Sequence, residues 1–132
     1  MEPKIFSIEE ASRLIPLIRE LLQRLRTLRE KIEAQKLEMD LFEIVGAPRQ
    51  GIFVELGMTK EMVLLNDMAG EFNKHLEELE SMGCQVKGLD QGLVDFFAVR
   101  DGQLIYLCWK EGEDAVQFWH TLDGGFQGRK PL

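Results

Sequence analysis

Val94-Asp95-Phe96-Phe97-Ala98-Val99-Arg100-Asp101-Gly102-Gln103-Leu104-Ile105-Tyr106-Leu107-Cys108-Trp109-Lys110 is where the hydrophobic period of this 132-residue chain changes. Two β-prone runs flank Asp101-Gly102, a pair that accepts the positive φ angles of a type I′ turn, so the segment predicts a two-residue hairpin. That loop length fixes the register. Ala98 then faces Ile105, Phe96 faces Leu107 and Val94 faces Trp109, an apolar face that should lie on a core. The opposite face pairs Val99 with Leu104, Phe97 with Tyr106 and Asp95 with Cys108. It is more apolar than a solvated sheet needs, which predicts cover by the C-terminal tail or by another subunit.

Downstream, a third strand is expected over Ala115–His120, after the turn Glu111-Gly112-Glu113-Asp114. A short strand around Gln85–Lys87 is expected to precede the hairpin. Residues 84–132 thus read as a three- to four-stranded antiparallel sheet with a tail.

Upstream the period is helical. Ser7 and Glu10 have capping-box spacing, with Phe6 and Ala11 at the staple positions. Ala11, Leu14, Ile18, Leu21, Leu25, Leu28 and Ile32 then step by three and four, as in a heptad seam. Ile8, Ile15 and Leu22 widen the stripe. Pro16 should kink this helix, which is expected to run to about Leu41. A second helix is expected after Thr59, with its seam at Met62, Leu65, Ala69, Phe72, Leu76 and Leu79 and a left-handed cap at Gly83.

The two helices most simply form an antiparallel, coiled-coil-like hairpin over residues 1–83, with Leu21 beside Leu79, Leu28 beside Phe72 and Ile32 beside Ala69. The chain is therefore expected to be one α+β domain, residues 1–132. The connector, 42–58, carries Gly46, Pro48, Gly51 and Gly57 beside Phe42, Ile44, Val45, Ile52, Phe53, Val54 and Leu56. It reads either as a partner-binding tip or as a flap folded over its own hairpin.

The net charge is −7, from 23 acidic and 16 basic residues. Residues 1–40 carry eight of each, so the whole excess lies in residues 41–132. Arg19, Arg24, Arg26, Arg29 and Lys31 resemble a nucleic-acid patch on their own. In the antiparallel register they face Glu71, Glu77, Glu78 and Glu80, which predicts neutralisation across the hairpin, and nucleic acid is not an expected partner. Residues 1–6 have no basic and apolar signal pattern, and no apolar run reaches the roughly 18 residues of a membrane span, so a cytoplasmic protein without a membrane partner is expected. Cys84 and Cys108 form no CxxC and read as packed small hydrophobes.

No HExxH, P-loop, GxSxG or dinucleotide fingerprint is present. The polar groups able to do chemistry collect in the C-terminal third: Asp90, Asp95, Glu113 and His120 as candidate catalytic or metal-binding groups, with Trp109, Trp119 and Arg129 as candidate ligand-binding groups. A carboxylate beside a histidine is the minimum for acid–base work or for an O,N-ligated metal. A tetrahedral zinc site would have to recruit Cys108 or further carboxylates. The plainer reading makes these residues strand-end and turn hydrogen-bonders, and makes Arg129 and Lys130 an anion contact or surface ion pairs. His75 reads as a solvated helix-surface residue, and Met62, Met68 and Met82 as gap-fillers.

Three segments, Gly88–Phe96, Leu107–Glu113, and Trp119-His120 with Gly125–Arg129, together with Phe6–Ala11 and Leu14-Ile15-Pro16, resemble the bacterial family known as domain of unknown function 2203. The resemblance covers essentially the whole chain. Phe97 stands where members often carry proline. It implies a compact bacterial protein and marks Asp90, Asp95, Trp109, Glu113, His120 and Arg129 as family-motif positions. It brings no activity, substrate or cofactor.

Two functional expectations follow. One is a non-enzymatic module that self-associates as a homodimer or higher oligomer, because the first helix outruns the second and leaves apolar stripe to cover. The other is a small-ligand or metal-dependent enzyme. It requires Asp90, Asp95, Glu113 and His120 to converge in one pocket; its metal and cofactor are left open.

Overall fold

The computed structural model describes residues 3–45 and 59–132. Helix α1 spans Ile8–Val45 and runs through Pro16 as one element. The capping box forms as expected: Ser7 N–H donates to Glu10 Oε1 and Glu10 N–H to Ser7 Oγ, each at 3.1 Å. Those carboxylate contacts, the Ser7 backbone N–H first, hold Glu10 below the ordinary value of 4.5. Helix α2 spans Lys60–Ser81, with the Thr59 hydroxyl accepting from Met62 N–H. Gly83 follows it at φ +94°, the left-handed position that ends the helix. The connector readings made for 42–58 fall mostly on 46–58, outside the described residues.

Five strands form one antiparallel meander in the order β1 (Cys84–Gly88), β2 (Leu93–Arg100), β3 (Gln103–Lys110), β4 (Phe118–His120) and β5 (Lys130–Pro131). The fold is α+β. Asp101 and Gly102 have φ of +52° and +75°, as the type I′ turn requires, and the hairpin register matches the expected one from Arg100↔Gln103 to Val94↔Trp109.

The third strand is shorter than Ala115–His120. Val116 N–H donates to Ser12 Oγ on α1 at 3.2 Å, so the chain is held by the helix before it joins β3. The tail adds what the sequence did not predict: a 3-10 turn at Phe126–Gly128 and β5, with Leu132 N–H on Gln117 O at 2.9 Å.

One core joins helices and sheet. Phe6, Ala11, Ile15, Ile18, Leu21, Leu22 and Leu25 from the N-terminal side meet Leu79, Val94, Phe96, Leu107 and Trp109. The N-terminal part of α1 is therefore buried against the sheet. This covers the N-terminal part of the stripe within the chain itself, while Leu37 and Leu41, further along α1, are exposed.

The charge expectation also needs correction. Among the described residues no ion pair joins α1 to α2. Arg26 reaches the strand turns instead, donating to Glu111 at 2.7 and 2.8 Å and to Leu89 O at 3.0 Å. Arg29 pairs with Asp90, and Arg24 with Glu20 on its own helix. The flank of α1 that carries Arg26 and Arg29 faces the sheet, so the sheet's turns receive these guanidinium groups. His75 is half-buried between Glu71 and Glu78 in the groove between the helices, rather than solvated.

Candidate functional site

The sheet face turned away from the helices carries the site, because side chains alternate along each strand. Asp95 on β2 lies opposite Cys108 on β3, and His120 enters from β4 one pair further on, opposite Tyr106. Three neighbouring strands thus deliver a carboxylate, a thiol and an imidazole to one place. All three residues are buried, at 3%, 1% and 3% exposure, and one donor atom from each lies within 4.8 Å of the other two.

The hydrogen bonds fix how His120 is presented. Its Nδ1 lies 2.6 Å from Thr121 O, a carbonyl that only accepts, so Nδ1 carries a proton. Nε2 lies 3.0 Å from Asp95 Oδ2, within hydrogen-bond distance. The ring is oriented further by Tyr106, whose centroid is 5.4 Å away and whose own ring stacks on Phe97 at 4.8 Å. Burial, then the charge of Asp95, push the Cys108 thiol up to about 12. Cys84, on the helix-facing side, is pushed up to about 11 by burial and its thiol lies 3.3 Å from Leu79 O.

The tail covers one end of the apolar second face, while Val99 and Leu104 at the other end are exposed. Leu122, Asp123, Gly125 and Phe126 close over Leu93, Asp95, Tyr106, Cys108 and His120, leaving a cavity of about 200 Å³. Arg129 latches it. Its guanidinium grips Glu113 through two hydrogen bonds, at 3.1 and 2.7 Å, and lies 3.9 Å from the ring centre of Phe118 and 4.6 Å from that of Phe126. Burial works against the charge of Arg129, but the bonds and field of Glu113 outweigh it and its pKa is raised.

Of the residues singled out in the sequence, Asp95 and His120 come together. Asp90 does not join them: its side chain is 69% exposed on a turn, paired with Arg29. Glu113 is occupied by Arg129 and by Lys110 N–H. Trp109 is fully buried in the core, its indole N–H donating to Glu113 O at 2.9 Å. Trp119, on the same face as Trp109, lies under Arg100 and Lys130. Neither tryptophan lines the cavity. Cys108 is the member read as a packed hydrophobe. The predicted hairpin register already put it opposite Asp95, which was the available signal. Lys87 and Tyr106 also line the cavity. Lys87 stands in an irregularity between Val86 and Gly88, where the β1–β2 pairing skips it.

The family model described as "Uncharacterized conserved protein (DUF2203)" matches residues 4–132, nearly the whole chain. The chain belongs to that family. No curated protein and no solved structure matches it. The site therefore has to be read for this DUF2203 protein from its own chemistry. None of its described helices is long and apolar enough to cross a membrane.

Sulfur, nitrogen and oxygen donors in one buried cluster suit a borderline ion of the zinc class, whereas magnesium or calcium prefers several oxygens. The Thr121 carbonyl on Nδ1 is the outer support that metal-ligating histidines normally have, and it directs Nε2 towards the other donors. Tetrahedral zinc at ordinary bond lengths separates its ligand atoms by about 3.3–3.6 Å. The 3.0 Å contact between Nε2 and Oδ2 would need to open only by a few tenths of an ångström.

Proposed function

We propose that this protein binds a zinc-class transition-metal ion through Asp95, Cys108 and His120, with a fourth position open to the cavity under the tail. The observation that carries the reading is the meeting of three buried, chemically different donors from three adjacent strands within 4.8 Å. A structural zinc site is normally closed by four protein ligands, whereas three ligands and an open position are what activate water or polarise a carbonyl. The reading thus favours metal-dependent chemistry on a small molecule over a purely structural ion. A metal-free cysteine nucleophile fits less well. Both nitrogens of His120 are engaged and the thiol is pushed up to about 12, the opposite of an activated cysteine.

Elemental analysis tests it. Protein produced with zinc supplied and then gel-filtered should retain about one ion per chain. Cys108→Ser and His120→Ala should lose it, and Cys84→Ser should keep it. Circular dichroism of each variant separates lost binding from lost folding. A folded wild-type protein that retains no zinc, cobalt or iron contradicts the reading.

A further inference from the structure

We infer that Arg129 is the outer partner of the Cys108 sulfur in the loaded centre, so that binding the ion fastens the tail and the closed tail holds the ion. The inference rests on the metal reading proposed above and names a positioning residue and a means of regulation for that same site.

Strand alternation brings the two residues together. Asp95, Cys108 and Phe118 form one cross-strand row, continued by Pro131 of β5. Arg129, two residues before Pro131 and with extended backbone, returns on that same face, while Lys130 between them lies over Trp119 on the other. The rings of Phe118 and Phe126 hold the guanidinium in place. Its Nη1 is then 3.9 Å from Cys108 Sγ and 3.1 Å from Glu113 Oε1. Among the described residues, Arg129 is the one arginine or lysine with a hydrogen-bond contact to a donor atom of the cluster.

To a neutral thiol such a contact is long and weak. Ligating an ion changes the sulfur, because the thiol gives its proton to solvent and becomes a thiolate. Hydrogen bonds with an ionised partner are shorter and roughly twice as strong as neutral ones. Other charges temper the gain. Asp95 is itself in the cluster, Asp123 lines the cavity, and Glu113 already grips the guanidinium from its far edge. The sulfur therefore receives a share of a paired cation. Outer partners of metal ligands change affinity by about 10–100-fold, and a shared one belongs at the lower end of that range. The coupling is reciprocal: what the closed tail adds to the affinity for the ion, the ion adds to closure of the tail.

Two substitutions separate this role from the latch alone. Both loosen the tail, but Arg129→Met removes the charge beside the sulfur, whereas Glu113→Gln leaves it there between Phe118 and Phe126. In the cobalt(II)-loaded chain, Arg129→Met should move the thiolate-to-cobalt band to longer wavelength, and competition with a chromogenic chelator should show zinc bound about tenfold more weakly. Glu113→Gln should leave the band in place or move it to shorter wavelength, with a smaller loss of affinity. Circular dichroism confirms folding. The wild-type chain gives an independent reading: loading zinc should slow hydrogen exchange at the Gly128, Arg129 and Leu132 amides more than in β2 and β3. If the chain carries no metal, the metal reading and this inference fall together. If it binds the ion through Cys108 but zinc slows the tail no more than β2 and β3, the inference alone is overturned. It is overturned equally if Arg129→Met moves neither band nor affinity, or if both variants move them alike.

Discussion

Replacing Arg129 by methionine keeps a long apolar side chain against Phe118 and Phe126 but removes the charge that latches the tail. The guanidinium and the Glu113 carboxylate are 13% and 18% exposed, so water screens their two hydrogen bonds only in part. Hydrogen bonds to charged groups contribute about 1.5–3 kcal/mol. Each partly exposed cation–π contact adds about 0.5–1 kcal/mol. Methionine recovers some of the packing, which puts the expected loss at about 2–4 kcal/mol for Arg129→Met, a large part of the roughly 5–15 kcal/mol that holds a domain folded.

Glu113→Gln keeps an acceptor for Lys110 N–H and removes the charge. A double-mutant cycle of the two substitutions by urea denaturation should give a coupling of about 1–2 kcal/mol. Hydrogen exchange should quicken at Leu132 N–H and at the Gly128 and Arg129 amides more than in β2 and β3. A coupling under about 0.3 kcal/mol, or exchange that quickens equally everywhere, would refute the latch.

Other predictions follow the same physics. Glu10 is held below the ordinary 4.5, so its contribution is complete above that value and is lost as pH falls through the lowered one; melting curves should show an advantage over Glu10→Gln at neutral pH that shrinks in acid. Persistence of the full advantage at the acid end would contradict the capping box. In the metal-free protein Cys84 and Cys108, pushed up to about 11 and about 12 and buried, should resist iodoacetamide at pH 8 until denaturant is added. Mass spectrometry reads the outcome, and rapid native labelling of either thiol would be a contradiction. Gly83→Ala should cost about 1–2 kcal/mol, because φ is +94° and the new Cβ would lie 3.0 Å from Lys4 Cβ. Gly70→Ala, inside α2 with open space around it, should instead stabilise by about 0.5–1 kcal/mol; thermal unfolding of the pair tests both signs.

The parts of the fold that were legible in the sequence are those set by local rules. Asp101-Gly102 dictates its own turn, and with it every pair from Arg100↔Gln103 to Leu93↔Lys110. Ser7 and Glu10 dictate the start of α1. What escaped depends on contacts distant in sequence. Ser12 captures Val116 and shortens β4 to Phe118–His120. The tail's second pairing, Trp119↔Lys130, leaves too few residues for a periodic signal.

Reading charges by helix register alone sent Arg26 and Arg29 to α2, because it ignored the sheet lying along the same flank. At the site, Asp95 and His120 stood out as polar residues in apolar strands. Cys108 did not, because a buried thiol and a small hydrophobe look alike in sequence. Only the register that places it opposite Asp95 separates the two.

Cobalt substitution tests the metal centre most directly, since it reads the ligand atoms themselves. The apo protein titrated with cobalt(II) should develop a near-ultraviolet thiolate-to-cobalt charge-transfer band that saturates at about one ion per chain, with visible bands of four-coordinate intensity. The charge-transfer band should vanish in Cys108→Ser and persist in Cys84→Ser. A folded protein whose spectrum stays that of aqueous cobalt, or a thiolate band that survives loss of Cys108, would contradict a centre built from Asp95, Cys108 and His120.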